Sequence, residues 1–310
     1  MKSLWYKFLY GRNTKSVNGK ADPRDWEVRD DMIPASTTES RAAEKGIRMD
    51  SFTRRGMTLP VQNQGRTNTC VGQSVKIAMQ DTNSHRKSGE VSPMYPYYWG
   101  QRMDQWEGEN YEGTSISAGC KALLEKGNVL NKVWPNGVKE APAEIEKLDE
   151  AAEPRKIKAY YRISTSDKDL VNKMKGLLES ESLVWSFHVN EHIFKIGSDG
   201  IIDSDEYLNS KYTGGGHAVA ITGWKYIDGE LHWEIQNSWG EGWGDKGFGY
   251  FPHKLFLTHS LSDVYYLVVG EEVQEEIPVE IEKKTLKNLF WYLGGMGILG
   301  LVGWLLKLFG

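Results

Sequence analysis

An α+β fold is predicted for this 310-residue chain, with helices first, antiparallel strands after, and any active site in the seam between the two halves. Three observations predict it. Apolar residues recur at helical spacing between positions 70 and 126. Short segments rich in β-branched and aromatic residues, separated by Gly, Asn and Asp turns, follow from position 183. The 33 glycines and 12 tryptophans call for tight turns around an aromatic-rich core.

Charge and cysteine content narrow the function. With 38 Lys+Arg against 42 Asp+Glu and a net charge of −4, no basic field is available to a nucleic-acid backbone, so nucleic acid is disfavoured and not expected as a partner. Two cysteines cannot make a disulfide scaffold. Cys70 and Cys120 can pair once, but the count fits free thiols in a reducing, cytoplasmic compartment.

Taken in chain order, the first apolar stretch, Leu4 to Leu9, is split by Lys7 and falls short of a signal-peptide core of ~7–15 residues. Residues 1–56 read as an extended N-terminal arm, polar after Gly11 and punctuated by Pro23 and Pro34. A domain over 57–270 follows. Val71, Val75, Ala78 and Met79 share one face of a helix that begins at Cys70, with Asn68 and Thr69 as cap residues. Ile116, Cys120, Leu123 and Leu124 predict a second helix over about 115–126, stopped by Gly127, with Cys120 in its core face. Strands are predicted at Leu183–Phe187, His217–Gly223 and Leu231–Gln236, the last two joined by an Asp228-Gly229 hairpin. No internal repeat is visible.

Residues 271–288 form a charged linker, six Glu followed by Lys283, Lys284 and Lys287. Leu289 to Leu306 then runs without a charge in a chain of mean hydropathy −0.53. As a helix it spans ~27 Å, just short of a ~30 Å hydrocarbon layer, so 289–310 is predicted as a hydrophobic tail and candidate membrane segment. The preceding lysines keep the folded domain on the cytoplasmic side. Docking in an assembly such as a virion is the alternative use of 289–306.

Chemistry concentrates in two places. A thiol in the first turn of a helix meets unsatisfied N–H groups and the positive end of the helix dipole, which places Cys70 to act as a thiolate. Gln64 lies six residues upstream in Pro60-Val61-Gln62-Asn63-Gln64-Gly65-Arg66-Thr67-Asn68-Thr69-Cys70. Its amide and the Cys70 N–H can together make an oxyanion hole. The second place is Gly214-Gly215-Gly216-His217-Ala218-Val219, returned by the hairpin to Gln236-Asn237-Ser238-Trp239-Gly240. Asn237 near His217 would orient the imidazole and set its tautomer, with Trp239 shielding the bond from water. His188 and His192 have a metal-compatible spacing only on a helix, and their segment reads as strand, so no metal or cofactor is predicted.

These motifs resemble the papain-like cysteine peptidases, in particular their compact bacterial and viral branch. Gln64-Gly65 with Cys70, Gly216-His217-Ala218-Val219, and Asn237-Ser238-Trp239-Gly240 with Trp243-Gly244-Asp245-Lys246-Gly247-Phe248-Gly249-Tyr250 occur in the family's order. Ser92-Pro93, Gly113-Thr114-Ser115 and Trp134-Pro135 extend the resemblance, and Asp22-Pro23-Arg24-Asp25 resembles the start of that compact branch. The resemblance implies a two-lobed fold, a helical lobe beside an antiparallel sheet or barrel lobe. It also implies peptide-bond hydrolysis, with Cys70 as nucleophile, His217 as general base and acid, Asn237 as orienting residue and Gln64 as oxyanion donor. Gly113 and Gly216 fall at substrate-binding positions. Thr67 stands at the place of a family half-cystine, Asn68-Thr69 replace Gly-Ser, Val71 replaces an aromatic, and Gln73 and Ser74 are polar where relatives are apolar. A papain-fold structural or interaction protein, such as a virion component with little or no catalysis, is the alternative expectation. Transglutaminases and cell-wall amidases use similar residues but lack the Gln64 and Asn-Ser-Trp-Gly combination.

Overall fold

The computed structural model describes residues 25–34, 37–81, 89–104 and 112–270. Strand β1 (Trp26–Glu27), helix α1 (Thr38–Glu44) and strand β2 (Ser51–Thr53) come first. This segment, expected to run extended, therefore contains a helix. Pro34 lies before α1 rather than inside it, and the Thr37 hydroxyl caps it by accepting the Ser40 N–H at 3.0 Å. Asp25, buried, accepts hydroxyls from Ser117, Tyr160 and Tyr265 and so fixes β1 to the rest of the domain.

The helical half comprises α2 (Cys70–Met79), α3 (Met94–Met103) and α4 (Ile116–Glu125), with a short α5 (Leu148–Ala152) after them. The first and third match the apolar periodicity closely. Thr69 is indeed the N-cap of α2, but its side chain makes no cap bond and sits 2.7 Å from the Thr67 hydroxyl instead. All ten residues of α2 are buried, including Gln73, Ser74 and Lys76. Burial pushes the Lys76 ammonium below the usual lysine range, and its partner Glu90 opposes that shift. The second helix, α3, was not marked by any apolar period. Its Pro96 falls in the first turn, where the missing N–H has no intrahelical partner to lose.

The sheet half contains β3 (Ile157–Ile163), α6 (Leu170–Leu178), β4 (Leu183–Asn190), α7 (Ser204–Asn209), β5 (Tyr212–Ile227), β6 (Glu230–Gln236), β7 (Phe248–Pro252), α8 (His253–His259) and β8 (Val264–Val269). The strand order is β1-β3-β8-β4-β5-β6-β7, with β2 added on β5. The expected antiparallel sheet is mixed, because β1 pairs parallel with β3. Asp228 and Gly229 both take positive φ, 51° and 81°, as a two-residue turn with the right twist for β5 and β6 requires. Gly214 to Gly216, readable as a turn, instead belong to β5, where Gly215 pairs with Val189 and Gly216 with His188.

Two cores meet at the sheet. On one side Trp185, stacked on Phe256 at 4.5 Å, packs with Phe187, Trp233 and Phe251. On the other, Cys70, Val71 and Val75 of α2 and Cys120 and Leu123 of α4 pack with Val184, Ala218, Tyr265 and Leu267 of the sheet. The α2 helix thus rests directly on β5, and Cys70 shares a core with the residue after His217. Cys120 is buried there as expected, and burial, followed by Asp25, pushes its thiol up. The linker 271–288 and the tail 289–310, with its predicted helix, lie outside the described residues. Among the described residues no helix is long and apolar enough to cross a membrane.

Candidate active site

The loop before α2 is held by its own side chains and by the sheet half. Gln64 Nε2 donates to the Thr67 carbonyl at 2.8 Å, and the Thr67 hydroxyl donates back to the Gln64 carbonyl at 2.6 Å. Thr67 therefore closes the turn by hydrogen bonds. Across the seam, the Gln64 N–H donates to the Ser238 carbonyl at 2.9 Å and the Ser238 hydroxyl to Gln64 Oε1 at 2.6 Å. The Gly240 N–H adds a bond to the Gln62 carbonyl at 2.9 Å. Cys70 follows at the start of α2, with no exposed surface.

His217 lies on β5, and Asn237 directly follows β6, which the hairpin brings alongside. Asn237 Oδ1 is 2.7 Å from His217 Nε2 and accepts the Ser238 backbone N–H, also at 2.7 Å. The second bond decides the first: only oxygen can accept from a peptide N–H, so the amide oxygen faces the ring and Nε2 carries the proton. Nδ1 is then the nitrogen available for proton transfer. Trp239 stacks on the imidazole at 4.4 Å and 27°, braced by Phe194 and Trp243. His217 and Asn237 are fully buried, and Gln64 and Trp239 nearly so, which keeps water from competing for these bonds.

The structure ties Gln64 to Ser238, pairs His217 with Asn237 beneath Trp239, and packs Cys70 in one core with Ala218, the neighbour of His217. Gly216 immediately precedes His217 on β5. Gly113 takes φ 141°, a conformation open to glycine. Burial, then the charges of Cys70 and Glu112, push the Tyr97 phenol up, and the backbone of Gly113 opposes that shift. Asn68, beside Cys70, donates to Glu112. Ser238 was missed by sequence reasoning, although it sits inside Asn-Ser-Trp-Gly and grips both Gln64 and Asn237. His188 bonds the Tyr212 hydroxyl at 3.2 Å from strand β4, while His192 pairs with Glu206 at 3.0 Å, so the two histidines serve different partners. Among the described residues no group of three or more His, Cys, Asp or Glu is arranged to hold a metal.

The chain has counterparts among known proteins. A family model, the papain family cysteine proteases, matches residues 48–255. A peptidase C1-like protein of Acanthamoeba polyphaga mimivirus is 24% identical over 284 residues, 86% of this chain and 89% of that protein. A cathepsin L-like proteinase of Phaedon cochleariae is 22% identical over 255 residues, covering 78% of this chain and 75% of the relative. The crystal structure of xylellain, a cysteine protease from Xylella fastidiosa, superposes with a TM-score of 0.63 at 22% identity, over 83% of this chain and 98% of that one.

Proposed function

This chain belongs to the papain family of cysteine proteases, and from that premise we propose that it hydrolyses peptide bonds with Cys70 as nucleophile, His217 as acid and base, Asn237 as orienting residue and Gln64 as oxyanion donor. The observation that carries the reading is the double use of Asn237 Oδ1, which holds the Nε2 proton of His217 and leaves Nδ1 to exchange a proton with Cys70.

In the proposed sequence Nδ1 holds the proton taken from the thiol, and the start of α2 favours the resulting thiolate. Sγ attacks the carbonyl carbon, and the carbonyl oxygen becomes an oxyanion facing the Cys70 N–H and the Gln64 amide. Gln64 Nε2 carries two protons. Thr67 takes one, and the other is the donor assigned to the oxyanion. As the C–N bond breaks, Nδ1–H protonates the leaving amine, and a thioester remains. Nδ1 then removes a proton from water, whose oxygen attacks the thioester and releases the acid and the thiolate.

The substrate class is a peptide or protein, contacted near Gly113 and Gly216. Both cysteines are free thiols, which supports action in a reducing compartment. The uncharged sequence at 289–306 supports attachment to a membrane. Hydrolysis of a mixed peptide library by the full chain and by Cys70→Ala tests the reading. Cleavage by the parent and none by the variant is expected, and equal cleavage by both overturns it.

A further inference from the structure

The peptide group that joins Asn63 to Gln64 is gripped from both halves of the molecule. Its N–H goes to the Ser238 carbonyl on the sheet side at 2.9 Å. Its carbonyl accepts Asn136 Nδ2 from the helical side at 3.3 Å. Asn136 Oδ1 in turn accepts Gln73 Nε2 at 2.7 Å, and Gln73 stands one helical turn after Cys70 on α2.

The direction of this chain is forced. A backbone carbonyl only accepts, so Asn136 presents its NH2 to Asn63 and its oxygen to Gln73, and Gln73 must donate. Gln73 is completely buried, so the polar side chain costs stability unless that bond is made, and its Oε1 has no hydrogen-bond partner among the described residues. Asn136 is itself seated: its N–H donates to Asn131 Oδ1 at 2.8 Å, and the turn it occupies is pinned by buried Trp134, whose Nε1 donates to the Val138 carbonyl at 2.9 Å.

We infer that Gln73 and Asn136 are positioning residues that set the plane of the Asn63–Gln64 peptide, and through it the aim of the Gln64 amide relative to Cys70. The inference rests on Gln64 being the oxyanion donor. A strap running from the helix that carries the nucleophile to the peptide that carries the donor couples their positions. Catalysis by preorganised donors is sensitive to displacements of that kind.

A double-mutant cycle on the full chain tests it, using Gln64→Ala, Asn136→Ala and the pair. Four quantities are read for each: kcat and KM on a peptide amide, affinity for a peptide aldehyde whose thiohemiacetal oxygen occupies the oxyanion position, and the rate of Cys70 alkylation by iodoacetamide. Asn136→Ala is expected to lower kcat and weaken the aldehyde about three- to tenfold, the effect of one hydrogen bond, with KM and alkylation little changed. In the Gln64→Ala background it should cost nothing further. Asn136→Asp, which keeps the size and loses the donor, should behave like Asn136→Ala. Gln73→Met probes the buried end, and half-exposed Asn136 keeps the test decisive if that variant does not fold. Additive losses in the cycle, or alkylation falling in parallel with kcat, overturn the inference. If Gln64→Ala lowers kcat and Asn136→Ala does not, the strap alone is rejected. If Gln64→Ala itself leaves kcat unchanged, the donor assignment falls and the strap with it.

Discussion

Ser238 holds Gln64 by two hydrogen bonds, its carbonyl to the Gln64 N–H at 2.9 Å and its hydroxyl to Gln64 Oε1 at 2.6 Å. Ser238, next to Asn237, therefore also holds Gln64, so one loop touches both the proposed orienting residue and the proposed oxyanion donor. Gln64→Ala is expected to lower kcat by about 10²–10³, the usual effect of losing one oxyanion donor. Ser238→Ala should lower it less, by about tenfold or under, since the backbone bond remains. Steady-state kinetics on one peptide amide checks both, and a larger loss for Ser238→Ala than for Gln64→Ala would reverse the assigned roles.

Asn237→Ala should lower kcat/KM and change the shape of its pH profile. Without the amide oxygen the ring of His217 can take either tautomer and turn beneath Trp239, and its protonated form loses an acceptor. The measurement is kcat/KM across pH 5–9 for both proteins. Profiles that coincide in height and shape would make Asn237 a packing residue.

Glu181 gives the fold a pH dependence of its own. Burial, and then the charge of Asp81, push its carboxyl up to about 8, against the opposing pull of Arg54, which pairs with buried Asp81 at 2.6 Å. A folded value above the unfolded one means that the folded state holds the extra proton. The associated stability is complete below the ordinary carboxylate range and is lost as pH rises toward and through about 8. Glu181→Gln, neutral throughout, should therefore match the parent in thermal midpoint near pH 4 and exceed it at pH 8. A constant difference between the two across that range would contradict the assignment.

The tail makes a separate prediction. The full chain should float with liposomes, while a chain ending at Glu282 stays in the soluble fraction, because the uncharged run at 289–306 is removed. Equal partitioning of both would remove membrane attachment from the account.

What was legible in the sequence was what depends on local pattern. The apolar spacing of Val71, Val75, Ala78 and Met79 located α2 to within a residue, and Asp228-Gly229 located the hairpin that carries His217 back to Asn237. The same periodicity says nothing of Gln73 and Lys76. They are buried because Asn136 and Glu90, distant in sequence, reach them, and no local period reports a distant partner. Helix α3 escaped because its aromatic sequence lacks an amphipathic stripe. The pairings of β1 and β2 escaped because strands of two and three residues take their register from the sheet they join. In the site, the motif residues were legible one by one. Ser238 was not, since its role exists only once the Gln64 loop lies across from it.

The central claim is that Cys70 is the nucleophile and acts through His217. Intact-protein and peptide mass spectrometry of the folded full chain after treatment with a peptidyl epoxide tests it most directly, with His217→Ala treated in parallel. The account predicts one adduct, on Cys70 and not on Cys120, forming much more slowly in His217→Ala. No adduct on folded protein, or an adduct on Cys70 at the same rate in both, would contradict it.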